Sequence, residues 1–138
     1  MQAIADFRDF SDILEPFKIA LFFDYCEKST KFYSLETVIT QFKGTEFTIP
    51  SHFVSDGMSI PRGLWNYCMP LDARYCPIFY CHDWYYSTGQ LTRADADLFM
   101  LEGLKAAGMP LMKRQTIYRA VRLFGASHYD VKKLGVKI

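Results

Sequence analysis

Between residues 31 and 50 apolar and polar positions alternate, in Lys31-Phe32-Tyr33-Ser34-Leu35, Thr37-Val38-Ile39-Thr40-Gln41-Phe42 and Thr45-Glu46-Phe47-Thr48-Ile49-Pro50. Period-two alternation rich in branched and aromatic residues predicts strands, and the Lys43-Gly44 break between the last two predicts a hairpin. Upstream, residues 7–14 suit a short helix ending before Pro16, and the apolar run 17–23 fits a strand or a helix.

After Pro61 the apolar spacing lengthens to three and four residues, the helical period. Pro61 suits a first helical turn; Pro77 opens a helix over 78–87 that Gly89 ends. Thr92 caps the next helix, with Ala94, Leu98, Leu101 and Leu104 as its expected apolar positions, and Gly108-Met109-Pro110 breaks it. A last helix runs from about Pro110 to Phe124, with Leu111, Ile117, Val121 and Phe124 as its stripe, and Gly125 stops it. The expected fold is therefore α+β: an N-terminal β-hairpin or meander packed on a C-terminal bundle of about three helices. With 138 residues and no linker or repeat, the chain reads as a single domain, mainly β over 1–60 and mainly α over 61–138.

Composition narrows the classes. Half of the residues are hydrophobic and 17% aromatic, enough for a core and against disorder. A formal charge of +1 lacks the basic surplus of a nucleic-acid binder, and the local run Lys113, Arg114, Arg119 and Arg122 reads as the solvated side of a helix. No apolar stretch reaches the roughly 18 residues of a membrane span, and Asp6, Arg8, Asp9 and Asp12 stand where a signal peptide has its apolar core. The expected location is a cytoplasm, with Cys26, Cys68, Cys76 and Cys81 reduced and mostly buried.

Candidate chemistry sits at Cys81-His82-Asp83-Trp84-Tyr85-Tyr86. An imidazole and a carboxylate in so apolar a run need partners if buried. On a helix His82 and Tyr86 share a face, while Asp83 points about 100° away and serves another neighbour. Short loops make consecutive helices antiparallel, which brings Asp97 toward His82. A carboxylate so placed orients an imidazole as a general base; equally, the pair suits a structural hydrogen bond within a bundle. Asp56-Gly57, in the turn after the last strand, together with Asp83 would offer oxygens to a hard cation such as Ca²⁺, or Asp56 simply caps the helix opened by Pro61. Asp95 reads as first-turn surface charge, and Trp65 and Trp84 as core.

Three segments together resemble a family of small phage- and prophage-encoded proteins of unknown function: Ile49-Pro50-Ser51-His52-Phe53-Val54-Ser55-Asp56-Gly57-Met58-Ser59-Ile60-Pro61-Arg62, His82-Asp83-Trp84-Tyr85-Tyr86, and Arg93-Ala94-Asp95-Ala96-Asp97. This implies a viral or prophage origin, with the protein in the host cytoplasm or the virion. A second resemblance, through His82-Asp83-x-x-Tyr86, Asp97 and Tyr118-Arg119-Ala120-Val121-Arg122-Leu123-Phe124-Gly125, is to bacterial secretory phospholipase A₂. It implies an antiparallel helix pair in which His82 is the base, Asp97 its partner, Tyr86 the supporting hydroxyl, and Asp83 a Ca²⁺ ligand beside an Asp56-Gly57 loop. Phe79 stands where those exported enzymes carry a disulfide cysteine. Two functions follow: a hydrolase, calcium-dependent and acting on lipid esters of the host envelope, or a non-catalytic virion, tail or assembly protein partnered by other phage structural proteins.

Overall fold

A computed structural model of the chain describes residues 2–4, 19–26, 29–55 and 74–129. They fall in two compact units, Met1–Asp56 and Gly57–Ile138. Among the described residues the strands lie in the first and the helices in the second, an α+β fold with an N-terminal β meander and a C-terminal three-helix bundle.

The first unit holds strands β1 (Gln2–Ile4), β2 (Ile19–Asp24), β3 (Ser29–Ser34), β4 (Val38–Phe42), β5 (Thr45–Ile49) and β6 (Val54–Ser55). They form two three-stranded sheets, ordered β1-β4-β5 and β2-β3-β6. The expected hairpin is present: β4 pairs antiparallel with β5, and Lys43 and Gly44 turn it with φ of 51° and 81°. Two successive positive φ values match the twist of the flanking strands, which is why glycine stands there. Along β4 the alternation is realised as burial, with Val38, Thr40 and Phe42 inside. Of the ambiguous run 17–23, residues 19–23 fall in strand β2, paired antiparallel with β3 from Ile19↔Ser34 to Asp24↔Ser29. Strand β1 pairs in parallel with β4, a long-range register that local pattern does not announce. The suggested helix over 7–14 and the Pro61 helix lie outside the described residues.

In the second unit α1 (Cys76–Thr88), α2 (Arg93–Ala106) and α3 (Leu111–Phe124) follow one another, and a 3-10 turn covers Gly125–His128. Local chemistry sets the ends where expected. Pro77 lies in the first turn of α1, and Gly89 closes it in the left-handed region at φ 65°. Thr92 caps α2 by accepting a bond from the Asp95 amide at 3.1 Å. Gly108 takes φ 92° after α2, and Pro110 precedes α3.

α1 and α2 run antiparallel: His82 and Tyr86 meet Asp97, Tyr85 packs edge-on to Phe99 at 5.1 Å, and Ile78 lies against Gly103. α1 is buried at nearly every position, including Ile78, Phe79, Tyr80, Cys81, Trp84 and Tyr85, and so is the core of this unit. Two expected apolar faces need correction. On α2 the buried positions are Ala96, Asp97, Phe99, Met100, Gly103 and Leu104, whereas Ala94 is exposed and Leu98 and Leu101 are half-buried. The helix is packed by α1 and α3 at once, so its buried face is wider than, and rotated from, a single apolar stripe. On α3 Ile117 and Val121 are buried, but Leu111 and Phe124, at its two ends, are exposed. Among the described residues no helix is long and apolar enough to cross a membrane.

Candidate functional site

Asp97, in the second turn of α2, is fully buried, as is His82 opposite it on α1. His82 Nε2 lies 2.8 Å from Asp97 Oδ1. Tyr86, one turn beyond His82 on α1, donates its hydroxyl to the same oxygen at 2.5 Å. Its ring packs against the imidazole with centroids 4.3 Å apart. The four-residue spacing of His82 and Tyr86 puts both on the helix face that meets α2. The sequence-predicted dyad and its supporting hydroxyl are therefore assembled as expected.

The other carboxylate oxygen has a partner from the third helix: Arg122 Nη1 donates to Asp97 Oδ2 at 2.7 Å. The Arg122 side chain is about one-third exposed while the carboxylate is wholly buried. Arg93, one turn before Asp97, donates through Nη2 to the carbonyls of Val121 at 2.8 Å and Arg122 at 2.6 Å at the end of α3, where the Val121 oxygen also accepts from the Gly125 N–H. Arg122 corrects the reading of the basic run as solvated surface, since it neutralises a buried charge. Its neighbourhood was visible only as the Tyr118–Gly125 segment; nothing in charge spacing tied it to Asp97. Nor did spacing tie Arg93 to α3.

The electrostatics follow from these contacts. Burial by itself raises the Asp97 carboxyl, but the bonds from His82 and Tyr86, the attraction of His82 and the bond from Arg122 outweigh it and hold the group below its ordinary range. An ionised carboxylate only accepts, so the hydrogen in the His82 contact belongs to Nε2. In the neutral ring Nδ1 is then the basic nitrogen. Burial, with the Asp97 bond and charge added, raises the Tyr86 phenol far above its ordinary value, so it remains a donor. The bond to Asp97 likewise raises Arg122, fixing it as a cation.

Of the expected calcium donors, Asp83 is half-buried on α1 immediately after His82, while Asp56 and Gly57 lie outside the described residues. Among the described residues no group of three or more His, Cys, Asp or Glu side chains is placed to hold a metal. Trp84, Cys76 and Cys81 are buried as expected, and Cys26 is exposed; Trp65 and Cys68 lie outside the described residues.

Fold and site together define a small α+β protein whose helical unit is built around a buried His-Asp pair carrying a tyrosine and an arginine on the same carboxylate. A family model described as protein of unknown function (DUF1353) matches residues 34–121, more than half of the chain, and the chain belongs to that family. It is similar to the uncharacterized protein y4jT of Sinorhizobium fredii (strain NBRC 101917 / NGR234), with 29% identity over 83 residues. That match covers 59% of this chain and 25% of y4jT, so the chain spans about a quarter of that relative's length. No solved structure matches.

Proposed function

We propose that this protein is a hydrolase in which His82 is the general base that activates water, positioned by Asp97 and Tyr86, and that it acts on carboxylic esters of host-envelope lipids. The observation that carries the reading is the buried 2.8 Å contact of His82 Nε2 with an Asp97 oxygen that also takes the Tyr86 hydroxyl. Supporting it is the likeness of His82-Asp83-x-x-Tyr86 and Asp97 to the bacterial phospholipase pattern. In this chemistry Nδ1 removes a proton from water as the water oxygen attacks the ester carbonyl. The imidazolium, paired with Asp97, then returns that proton to the departing alkoxide as the acyl C–O bond breaks. Calcium, recruited by Asp83 with Asp56 and Gly57, would supply positive charge to the developing oxyanion. Calorimetry with millimolar Ca²⁺ tests that element separately: heat lost in Asp83→Asn supports it, and no heat in wild type removes it.

The proposed setting is a phage or prophage, with the protein in the host cytoplasm or the virion. Fatty-acid release from liposomes of several headgroups, with calcium present, tests the activity. Wild type should turn over, and His82→Ala and Asp97→Asn should each lose at least ~10²-fold, the lower range for loss of a general base. Background activity in wild type across all lipids overturns the reading.

A second reading has its own observation. Both the imidazole and the carboxylate are wholly buried, and the Asp97 network joins all three helices. That suits a non-catalytic virion, tail or assembly component in which the network serves stability. Under this reading both variants melt earlier and wild type hydrolyses nothing.

A further inference from the structure

We propose that Arg122 is a positioning residue of the dyad, locked in place by Arg93, and that it determines which oxygen of Asp97 faces His82. The geometry forms a relay through three helices. Arg93 of α2 binds the Val121 and Arg122 carbonyls at the end of α3; the Arg122 guanidinium returns to Asp97 Oδ2; and Oδ1 is thereby left to His82 and Tyr86 of α1. A carboxylate with one oxygen claimed by a guanidinium cannot rotate without breaking a charge-assisted bond. Nε2 of the imidazole is thus presented with an acceptor held in one orientation and keeps the hydrogen.

Among the described residues, the charged and titratable groups around this carboxylate come from all three helices and the segment after them. His82 and Tyr86 face it from α1, where Asp83 lies about 100° further round. Arg93 acts on Tyr86 from α2, and Arg122 reaches the carboxylate from α3, with Tyr118 of that helix acting on Arg122. Tyr129, beyond the 3-10 turn, packs its ring edge-on against Tyr86 at 5.2 Å. Of these, Arg122 alone joins the carboxylate from α3, and it lies beyond the 34–121 segment that the family model matches.

The catalytic consequence rests on the hydrolase reading, but the positioning itself is measured without turnover. In the full-length protein, carbon-13 NMR follows the Asp97 carboxyl with pH, and nitrogen-15 NMR of His82 reports which ring nitrogen carries hydrogen. Arg122→Gln keeps a donor but removes the charge. It is expected to raise the Asp97 titration and to weaken the preference for hydrogen at Nε2. Arg122→Lys keeps the charge without the planar fork and should fall between the two. A residue that only packs would lower the melting temperature and leave both NMR readouts unmoved. Unchanged titration and tautomer in folded Arg122→Gln overturn the inference. Should that variant not fold, Arg93→Gln decides, because it releases the last turn of α3 with Arg122 in place: a smaller shift in the same direction is expected, and none overturns the relay. Background lipid hydrolysis with the shift present removes the hydrolase reading alone, whereas full hydrolysis with no shift removes this inference alone.

Discussion

Tyr86 and Asp97 share one hydrogen bond across the α1–α2 interface, and the oxygen that takes it is the one that also holds His82 Nε2. Removing the phenol hydroxyl leaves the ring to fill its place in the core and deprives a buried carboxylate of one of its three partners. Tyr86→Phe is therefore expected to lower stability by ~1.5–3 kcal/mol, the range for a bond to a charged group. Denaturant unfolding checks this. A loss below about 0.5 kcal/mol would mean that His82 and Arg122 satisfy Asp97 without it.

Stability should fall at both extremes of pH, for opposite reasons. The Asp97 carboxyl is held below its ordinary 3.8, so its stabilisation is present above that value and is lost as pH falls through the folded value. The Tyr86 phenol is raised above its ordinary 10.0, so in alkali the unfolded chain ionises first and stability declines as pH rises beyond about 10. Asp97→Asn should flatten the acid limb and Tyr86→Phe the alkaline one. Melting temperatures across pH, with both variants beside wild type, decide this.

Gly103 lets α1 and α2 approach closely, since a Cβ there would stand 3.1 Å from Ile78 Cγ2 and 3.2 Å from Cγ1. Alanine would gain about 1 kcal/mol in helix propensity, while crowding in a packed core costs ~1–3 kcal/mol. Ile78 is wholly buried and has little room to give, so Gly103→Ala is expected to destabilise. The penalty should shrink when Ile78 is also shortened to Ala; equal penalties in the two backgrounds would place the strain elsewhere.

Gly44 offers the opposite case, with φ of 81° and nothing within 4 Å of where a Cβ would stand. Its requirement is conformational alone. Gly44→Ala should lose about 1–2 kcal/mol through the left-handed backbone, and Gly44→Asn clearly less. Identical losses would show that the turn gives up its type I′ geometry on substitution.

Sequence alone reached far into the helical unit because its boundaries are local chemistry. Pro77 and Gly89 bound α1, Thr92 caps α2, and Gly108 with Pro110 divides α2 from α3; each acts through the backbone of its own few residues. The Lys43-Gly44 hairpin was legible for the same reason. So was the meeting of His82, Tyr86 and Asp97, because helical spacing puts the first two on one face and a four-residue loop turns α2 back along α1.

What tertiary structure decided is non-local. Arg122 and Asp97 are 25 positions apart, and no spacing rule distinguishes Arg122 from Arg119, which stays exposed on the same helix. The parallel pairing of β1 with β4 spans more than 30 residues, and the division of the strands into two sheets depends on which edges meet, not on the alternation within any strand. The stripes of α2 and α3 were misjudged because hydrophobicity counts residues, whereas burial depends on how many neighbours a helix has. α2, packed by two helices, hides a carboxylate on its inner face, and α3 leaves Leu111 and Phe124 in the open at its ends.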